Sequence, residues 1–333
     1  MSVVLTRSRA LNALRCYASY ALSRFGSVHI AHMPLFVSVE PAAVCQLRCP
    51  ECPVGQVKTA LLTERRPASP DKTQNRGGLM RREVWERVLR EAASYAHTMQ
   101  FYFQGEPLLN KDLPQMIREA HEAGLYTIVS TNAQAMTSEL AEELVRAGLS
   151  RIIVSMDGLT EQTYGAYRIG GSVEQCKAAL GYLRAAKERL HGRTLIELQC
   201  LRLRTNEHEW SLFKRQYRLF GADRLVFKTA QLYDYANGHP LMPTDPRYSR
   251  YIQGADGLFH RRKLRKGCFR VWSGVVVTAD GDVLPCCYDK AHAHAYGNIM
   301  DMPLAELFTN DQAMAFRKAA MNEQPQICKE CWK

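Results

Sequence analysis

Three cysteines stand close together near the start of the chain, in the segment CQLRCPEC at residues 45–52. Clustered cysteines in a reducing compartment usually bind metal. A structural zinc site takes four ligands, commonly as two close pairs, and this segment supplies three with no obvious fourth nearby. Three thiolates suit a cubane iron–sulfur cluster that leaves one iron open to a substrate or cofactor. The spacing therefore predicts such a cluster at Cys45, Cys49 and Cys52.

A second group of cysteines lies at the C-terminal end. Cys268, Cys286, Cys328 and Cys331 could hold either zinc or a 4Fe–4S cluster, and the residues alone leave both alternatives open. Cys287 adjoins Cys286, and adjacent side chains point in different directions, so we do not expect both to be ligands. The isolated cysteines are interpreted as packed thiols: Cys16, Cys176 and Cys200.

The segments that must position the first cysteine group alternate between β-rich and helical patterns. Strands are predicted at 35–39, 98–102, 126–130, 151–155, 195–201 and 224–227, and helices at 82–95, 113–123, 138–147, 173–190 and 207–220. This alternation predicts an α/β fold with a parallel sheet, here a partial (β/α)6 barrel smaller than the eight-stranded one.

Active sites of parallel barrels lie at the carboxyl ends of the strands. Polar and glycine-containing segments follow five of the predicted strands: 40–52, 104–107, 131–132, 156–158 and 228–231. We therefore expect a catalytic mouth at this rim. Lys228 and Asp234, at or beyond the last strand, are the candidate catalytic residues for proton transfer.

The pattern divides the chain into four parts. Residues 1–34 form a basic helical segment, 35–235 the barrel, 236–267 a linker that contains three prolines, and 268–333 a small α+β auxiliary domain. The basic helix could lie on an anionic membrane, and its composition is also typical of an organellar transit peptide. We interpret it as a helix that packs against the main domain with its arginines in water.

Composition and charge set broader limits. Hydrophobic residues make up 46% and charged residues 23%, which is ordinary for a globular protein, and no apolar run is long enough to predict a membrane span. The absence of a secretory pattern predicts a cytoplasmic protein. The net charge of +11 favours acidic partners.

A non-catalytic zinc-binding or nucleic-acid-binding protein is the competing class. It would explain the charge but not the ordered motifs at the strand ends, and we expect no nucleic acid partner. Instead, the basic run at 261–266 and the polar connection at 53–80 could dock an acidic, low-potential electron donor such as a flavodoxin or ferredoxin. A solvated linker and loop is the open alternative for these two segments.

From about residue 35 to the C-terminus the motifs resemble those of the radical S-adenosylmethionine (SAM) superfamily. In that family the open iron of the three-cysteine cluster is chelated by SAM. Residues 105–107 are similar to the family's GGEP segment, with Gln104 in place of its first glycine. Ser130 and Asn132 match the polar residues that hold the SAM ribose and carboxylate, and Glu51 stands where many members have an aromatic residue near the adenine.

Two further segments carry the resemblance. Residues 154–158 resemble the fourth-strand segment of the subgroup with C-terminal clusters, and Arg168 lies in a segment similar to one that follows it. The resemblance implies cofactor-binding roles for Gly105, Glu106, Pro107, Ser130, Asn132, Asp157 and Arg168.

The C-terminal cysteines resemble those of the SPASM and Twitch extensions of this superfamily. A Pro-Cys step is typical of them, and it favours Cys286 over Cys287 as the ligand. The resemblance implies one auxiliary 4Fe–4S cluster held by Cys268, Cys286, Cys328 and Cys331, because a full SPASM domain with two clusters has more cysteines.

The resemblance also implies the reaction. The reduced cluster would cleave SAM to methionine and a 5′-deoxyadenosyl radical, which removes a hydrogen atom from the substrate. Many peptide-modifying members carry an N-terminal recognition domain, and only 34 residues precede the first predicted strand. We therefore predict oxidation of a small sugar- or cyclitol-like substrate, with the auxiliary cluster as electron acceptor. The alternative is a radical SAM peptide or protein maturase.

Overall fold

A computed structural model describes residues 6–56, 78–262 and 267–331 of the chain. The described residues form two compact units. The first unit draws on Met1–Val44, Ser69–Val129 and Leu264–Lys333, and the second on Cys45–Ala68 and Ser130–Lys263.

Helices and strands alternate along the described chain. In order they are α1 (Arg7–Ser23), β1 (Phe36–Val39), α2 (Arg82–Ala92), β2 (Thr98–Phe101), α3 (Leu113–Glu122), β3 (Tyr126–Thr131), α4 (Ser138–Arg146), β4 (Arg151–Ser155), α5 (Glu161–Gly165), α6 (Val173–Arg189), β5 (Leu195–Arg202), α7 (Trp210–Gln216), β6 (Arg224–Thr229), β7 (Tyr251–Gln253), β8 (Phe259–Arg261), α8 (Phe269–Ser273), β9 (Gly274–Val277), β10 (Asp282–Leu284), β11 (Gly297–Asn298), α9 (Leu304–Thr309), α10 (Asp311–Asn322) and α11 (Gln326–Lys329).

The six predicted strands are all present as β1 to β6, with ends shifted by at most two residues. The helix predicted at 207–220 is shorter than expected. It begins as a 3₁₀ turn at Arg204–Glu209 and continues as α7 only to Gln216. The predicted linker at 236–267 contains the antiparallel pair β7–β8, in which Tyr251 stands opposite Arg261.

The sheet of the first unit runs in the order β11, β10, β9, β1, β2, β3. Strand β1 lies between β9 and β2 and is parallel to both, with Val37 opposite Val275 on one side and Met99 on the other. Strands β9 and β10 form an antiparallel hairpin, and Gly281 takes a φ of +96° in its turn, a conformation that favours glycine. The segment that carries the C-terminal cysteines therefore pairs directly with β1 through β9.

Helix α1 packs in the first unit by its polar side. Arg9 is buried, and its guanidinium donates to the carbonyls of Ala93, Ala123 and Gly124 at 2.7 Å. Those carbonyls follow the C-terminal ends of α2 and α3, where backbone acceptors are unsatisfied and a positive charge is favoured. The expectation that the arginines of this segment lie in water is therefore wrong for Arg9.

The second unit contains the parallel strands β4, β5 and β6. Val154 stands opposite Leu198, which stands opposite Leu225. Helix α6 covers the strands with a buried face that includes Cys176, Leu180 and Leu183. These parallel strands with covering helices confirm the predicted α/β class. Among the helices that the structure describes, none is long and apolar enough to cross a membrane.

Candidate active site

The first cysteine group lies in the second unit, on one apolar cluster. Cys49 is buried in this cluster, and Cys45 and Cys52 pack against it. Its other members include Leu47, Tyr167, Leu203, Leu232 and Tyr251. Burial raises the pKa of the Cys49 thiol, and the nearby Arg168 guanidinium acts in the opposite direction. The three predicted ligands thus lie at one apolar cluster, with Cys49 buried and with Cys45 and Cys52 half-buried.

Hydrogen bonds fix the sulfur of Cys45. The backbone N–H of Leu47 and the side-chain amide of Asn132 both donate to Cys45 Sγ at 3.4 Å. Gln46 donates in turn to Asn132 Oδ1 at 3.2 Å. Donors to a ligand sulfur tune the potential of an iron–sulfur cluster. Asn132, predicted to bind SAM, therefore contacts a predicted cluster ligand, and Gln46 is a partner that sequence reasoning missed. Ser130 is half-buried on β3.

A glycine lets the loop fold back on Cys49. A Cβ atom at Gly55 would lie 2.4 Å from the Cys49 carbonyl oxygen and 2.7 Å from its nitrogen. Both contacts are with backbone, so no side chain fits here without moving the cysteine loop. Gly55 follows Cys52 by only three residues, and that proximity was the signal available from sequence.

Asp157 and Arg168 form a buried ion pair beside Cys49. Arg168 Nε lies 2.6 Å from Asp157 Oδ2, and the other oxygen accepts from the Leu201 N–H at 2.6 Å. Burial opposes the charge of Arg168, but Asp157 and Cys49 outweigh it and raise the guanidinium pKa. Two of the residues predicted to bind the cofactor thus contact each other, and the positive charge of Arg168 is held next to a predicted ligand.

Asn206 supports this pair and was missed by sequence reasoning. Its side-chain amide is fully buried and donates to the carbonyls of Asp157 and Leu201, both at 2.8 Å. Asn206 follows β5, the one strand whose trailing residues were not among the candidates. The rule that function follows the strand ends would have found it.

Glu51 joins the cysteine loop to the segment after β6. Its carboxylate accepts from the Tyr233 N–H at 2.7 Å and lies 3.4 Å from His239 Nε2. The position where the resembling family often has an aromatic residue is thus occupied by a buried structural acceptor. Lys228 and Asp234, the candidate catalytic residues, are exposed on and after β6, outside the apolar cluster.

The segment at 105–107 belongs to the first unit and lies against the residues that precede Cys45. A Cβ atom at Gly105 would come within 2.1 Å of the Ala42 carbonyl oxygen, so only glycine fits. The Glu106 N–H donates to the Val44 carbonyl at 2.8 Å, and its carboxylate accepts from Leu108 N–H at 3.1 Å. Pro107 begins a 3₁₀ turn that ends at Leu109. The close contact with Ala42 explains why residue 105 is glycine, and the 3₁₀ turn explains why residue 107 is proline.

The C-terminal cysteines line one cavity of about 550 Å³ in the first unit. Cys268 precedes α8, Cys286 and Cys287 follow β10, and Cys328 and Cys331 lie in and after α11. The cavity brings all five thiols of this region together, including both members of the adjacent pair. Within the described ranges, no three or more His, Cys, Asp or Glu side chains are arranged so that they could hold a single metal ion.

The thiols in this cavity interact electrostatically. Burial raises the pKa of Cys286, and Cys287, Cys331 and Cys328 add to the effect. Burial also raises the pKa of Cys328 to about 12, with further contributions from Cys268 and Cys331. Neutral thiols crowded together lose their protons when metal ions bind them. Thiols are the ligand type that iron–sulfur clusters use, so these cysteines have the chemistry that such a cluster requires.

Comparisons with known families match both cysteine regions. The model of the radical SAM superfamily matches residues 39–196, and the model of the SPASM iron–sulfur cluster-binding domain matches residues 268–332. The PqqA peptide cyclase of Rhodopseudomonas palustris is 27% identical over 93% of this chain and 82% of its own length. The PqqA peptide cyclase of Xanthomonas campestris is 26% identical over 90% of this chain and 79% of its own length.

Solved structures show the same fold at lower identity. The structure of BtrN in complex with AdoMet and 2-DOIA covers 90% of this chain and 94% of its own, with a TM-score of 0.54 and 19% identity. The structure of anSMEcpe with bound AdoMet covers 90% and 83%, with a TM-score of 0.63 and 20% identity. These likenesses support the α/β fold with a mainly parallel sheet, and they carry no statement about substrate.

Proposed function

We propose that this chain, which belongs to the radical SAM superfamily and carries a C-terminal SPASM domain, abstracts a hydrogen atom from a peptide substrate and so matures it. The observation that carries the proposal is the relation to PqqA peptide cyclases, at 26–27% identity over 90% or more of this chain. It favours the maturase alternative over the sugar- or cyclitol-like substrate that the short N-terminal segment led us to predict.

The first cysteine group would hold the catalytic cluster. Together with SAM, a 4Fe–4S cluster supplies the one-electron cleavage that gives methionine and a 5′-deoxyadenosyl radical. Cys45, Cys49 and Cys52 would bind it, and their apolar surroundings exclude water that would otherwise compete for reactive species. Asn132 and the Leu47 N–H orient the Cys45 sulfur, while Arg168 places a positive charge near Cys49.

The C-terminal thiols would act in the reaction after SAM has been cleaved. Cys268, Cys286, Cys328 and Cys331 would saturate a second cluster, and such a site is suited to electron transfer. A cluster held there would supply an acceptor for the one electron that the substrate radical must lose, with one proton passing to a base, to give an oxidised or cross-linked product. Lys228 and Asp234 remain the proposed bases, and their exposure lets a proton pass on to solvent.

The electron donor and the compartment remain predictions. We expect a flavodoxin or ferredoxin as donor and a cytoplasmic location. Of the two segments predicted to dock the donor, residues 263–266 and 57–77 lie outside the described part of the chain.

The test uses the anaerobically purified holoenzyme with SAM and a reductant. Short peptides encoded beside its gene form one set of substrates, and sugars and cyclitols form the other. We expect 5′-deoxyadenosine to rise with a peptide, deuterium to pass from a labelled peptide into it, and the peptide to lose two hydrogen atoms by mass. Deuterium transfer from a sugar or cyclitol, with the peptides left unchanged, would contradict the proposal.

A further inference from the structure

Helix α1 buries a polar face, whereas a surface helix usually buries its apolar face. Its buried face is polar and consists of Arg9, Asn12, Cys16, Ser19 and Ser23. Asn12 exchanges hydrogen bonds with the backbone of Met33 at 2.8 and 3.0 Å, and Ser23 accepts from the Trp272 indole at 3.2 Å. Hydrogen bonds therefore hold the helix on the first unit, and they leave its apolar residues facing outward.

The outward face is a continuous apolar stripe. Leu11, Leu14 and Leu22 are exposed by 52%, 67% and 56%, and the exposed Ala18 and Ala21 lie between them. Phe25, exposed by 89%, continues the stripe just beyond the end of the helix. Residues at these spacings fall on one side of a helix. Single exposed apolar residues are ordinary, but a stripe along one helix marks an interaction surface.

The charge that accompanies this stripe is all positive. Arg7, Arg15 and Arg24 are exposed on α1 and its C-cap, and the sequence has no acidic residue before Glu40. An apolar stripe bordered by arginines is the composition of helices that lie in the interface of anionic bilayers. Each basic side chain near such a surface adds attraction to anionic headgroups.

We propose that α1 docks this protein on the surface of a lipid bilayer that contains anionic phospholipids. The stripe enters the interface between headgroups and acyl chains, and Arg7 and Arg15 contact the headgroups. A stable protein interface buries about 800 Å² on each partner, which is more than one stripe of four large side chains offers. A bilayer needs no matching shape, and the uniform sign of the charge selects anionic lipid.

The test is flotation of the full-length holoprotein with vesicles made of equal parts phosphatidylglycerol and phosphatidylcholine, beside vesicles of phosphatidylcholine alone. We expect binding to the anionic vesicles only. Leu14→Glu should weaken it on the order of tenfold or more, because an apolar contact is replaced by a charge of the wrong sign. Arg7→Gln and Arg15→Gln should each weaken it about fivefold.

Leu219→Glu is the matched control, because Leu219 is a leucine of the second unit that is even more exposed than Leu14, at 81% against 67%. It should bind as the wild type does. Equal loss in Leu14→Glu and Leu219→Glu, equal binding to neutral vesicles, or no flotation of the wild type would each overturn the proposal. So would a lipid-free dimer that Leu14→Glu dissociates, since the stripe would then be covered by a second copy.

Discussion

The two cysteine regions of this molecule are assembled in opposite ways. Cys45, Cys49 and Cys52 lie within eight residues, and short-range contacts such as the Leu47 N–H to Cys45 Sγ shape their loop. The C-terminal thiols span residues 268–331 and meet only because β9, β10 and α11 bring them to one cavity. The first region is a local sequence motif, whereas the second exists only through tertiary structure.

That difference predicts different consequences when ligands are removed. A local loop can lose its ligands while the surrounding strands keep their packing. A cavity whose walls come from distant elements is held together partly by what binds in it, because metal binding then contributes to folding. Loss of ligands in the first region should therefore abolish SAM cleavage and leave the fold intact. Loss of ligands in the C-terminal region should lower both product yield and stability.

The largest effect is expected from replacing Cys45, Cys49 and Cys52 by Ala together. Formation of 5′-deoxyadenosine should fall to the uncatalysed background, because nothing remains to hold the cluster that cleaves SAM. Mass spectrometry of the reaction measures this, and circular dichroism should show an intact fold. Cys176→Ala, which removes a buried thiol from the same unit, should retain 5′-deoxyadenosine formation. Persistent SAM cleavage in the triple variant would contradict the assignment.

The double variant Cys328→Ala, Cys331→Ala should separate SAM cleavage from product formation. We expect 5′-deoxyadenosine to form while the yield of oxidised product per SAM cleaved falls several-fold, because the substrate radical has lost its electron acceptor. The melting temperature should also drop, since the cavity loses its bound cluster. An unchanged product ratio in a folded variant would show that the cluster has only a structural role.

Sequence reasoning predicted the framework because the framework depends on local patterns. Runs such as 151–155 and the glycines at 124, 148 and 221 mark strands and helix ends within a few residues. It could not predict contacts between residues far apart in the chain. Asn206 with Asp157 and Glu51 with Tyr233 join segments separated by 49 and 182 positions.

Helix α1 is a second example of a feature that depends on contacts with residues far away in the chain. Apolar residues such as Leu11, Leu14 and Ala18 recur at helical spacing in the sequence, and this spacing indicates which residues share a face. It did not predict which face would be buried, because the partners of Arg9 are carbonyls more than eighty residues away. The spacing of residues in the sequence defines the two faces of the helix, and hydrogen bonds to distant residues determine which face is buried.

Variants of the adjacent residues Cys286 and Cys287 test which of the two thiols in the C-terminal region binds the cluster. We expect Cys286→Ser to lower iron content by roughly half, as for one of two 4Fe–4S clusters, and Cys287→Ser to leave it unchanged. Iron and sulfide analysis of protein purified without oxygen measures both. The reverse result would assign Cys287 as the ligand, and equal small losses would mean that either thiol can serve.

The ion pair beside Cys49 tests the first region without touching a ligand. Asp157→Asn leaves the Arg168 charge without its partner in a buried site and should destabilise the protein by about 3 kcal/mol. It should also reduce SAM cleavage, because Arg168 no longer holds its place near Cys49. Denaturant unfolding and 5′-deoxyadenosine yield measure the two effects.

Glu197→Gln is the matched control for that change. Glu197 is fully buried and paired with Arg151 at 2.5 Å on neighbouring strands, away from the cysteine loop. We expect Glu197→Gln to cost stability and to leave SAM cleavage per folded protein unchanged. If both variants lower cleavage equally, the Asp157–Arg168 pair acts only through stability.

The smallest effect is expected for the pH dependence of stability, through His32 in the first unit. His32 is buried and its Nε2 lies 2.8 Å from the carbonyl oxygen of Trp272, which belongs to the helix that follows Cys268. Burial lowers the pKa of His32, and the positive charges of Arg317 and His29 lower it further, although the contact with Trp272 opposes them. The folded protein therefore binds a proton on this ring less readily than the unfolded chain does.

This sign fixes the direction of the pH dependence. His32 costs no stability above its unfolded pKa of about 6.5, and stability falls as the pH drops below that value, by at most about 1.4 kcal/mol per pH unit. His32→Gln keeps a donor for the Trp272 carbonyl and cannot titrate, so its stability should fall less between about pH 7.5 and pH 5.5. Urea unfolding of both proteins at the two pH values measures the difference. An identical loss in both would mean that other groups cause it. A larger loss in the variant would mean that the charged ring is favoured in the folded protein, so that the direction inferred from burial is wrong.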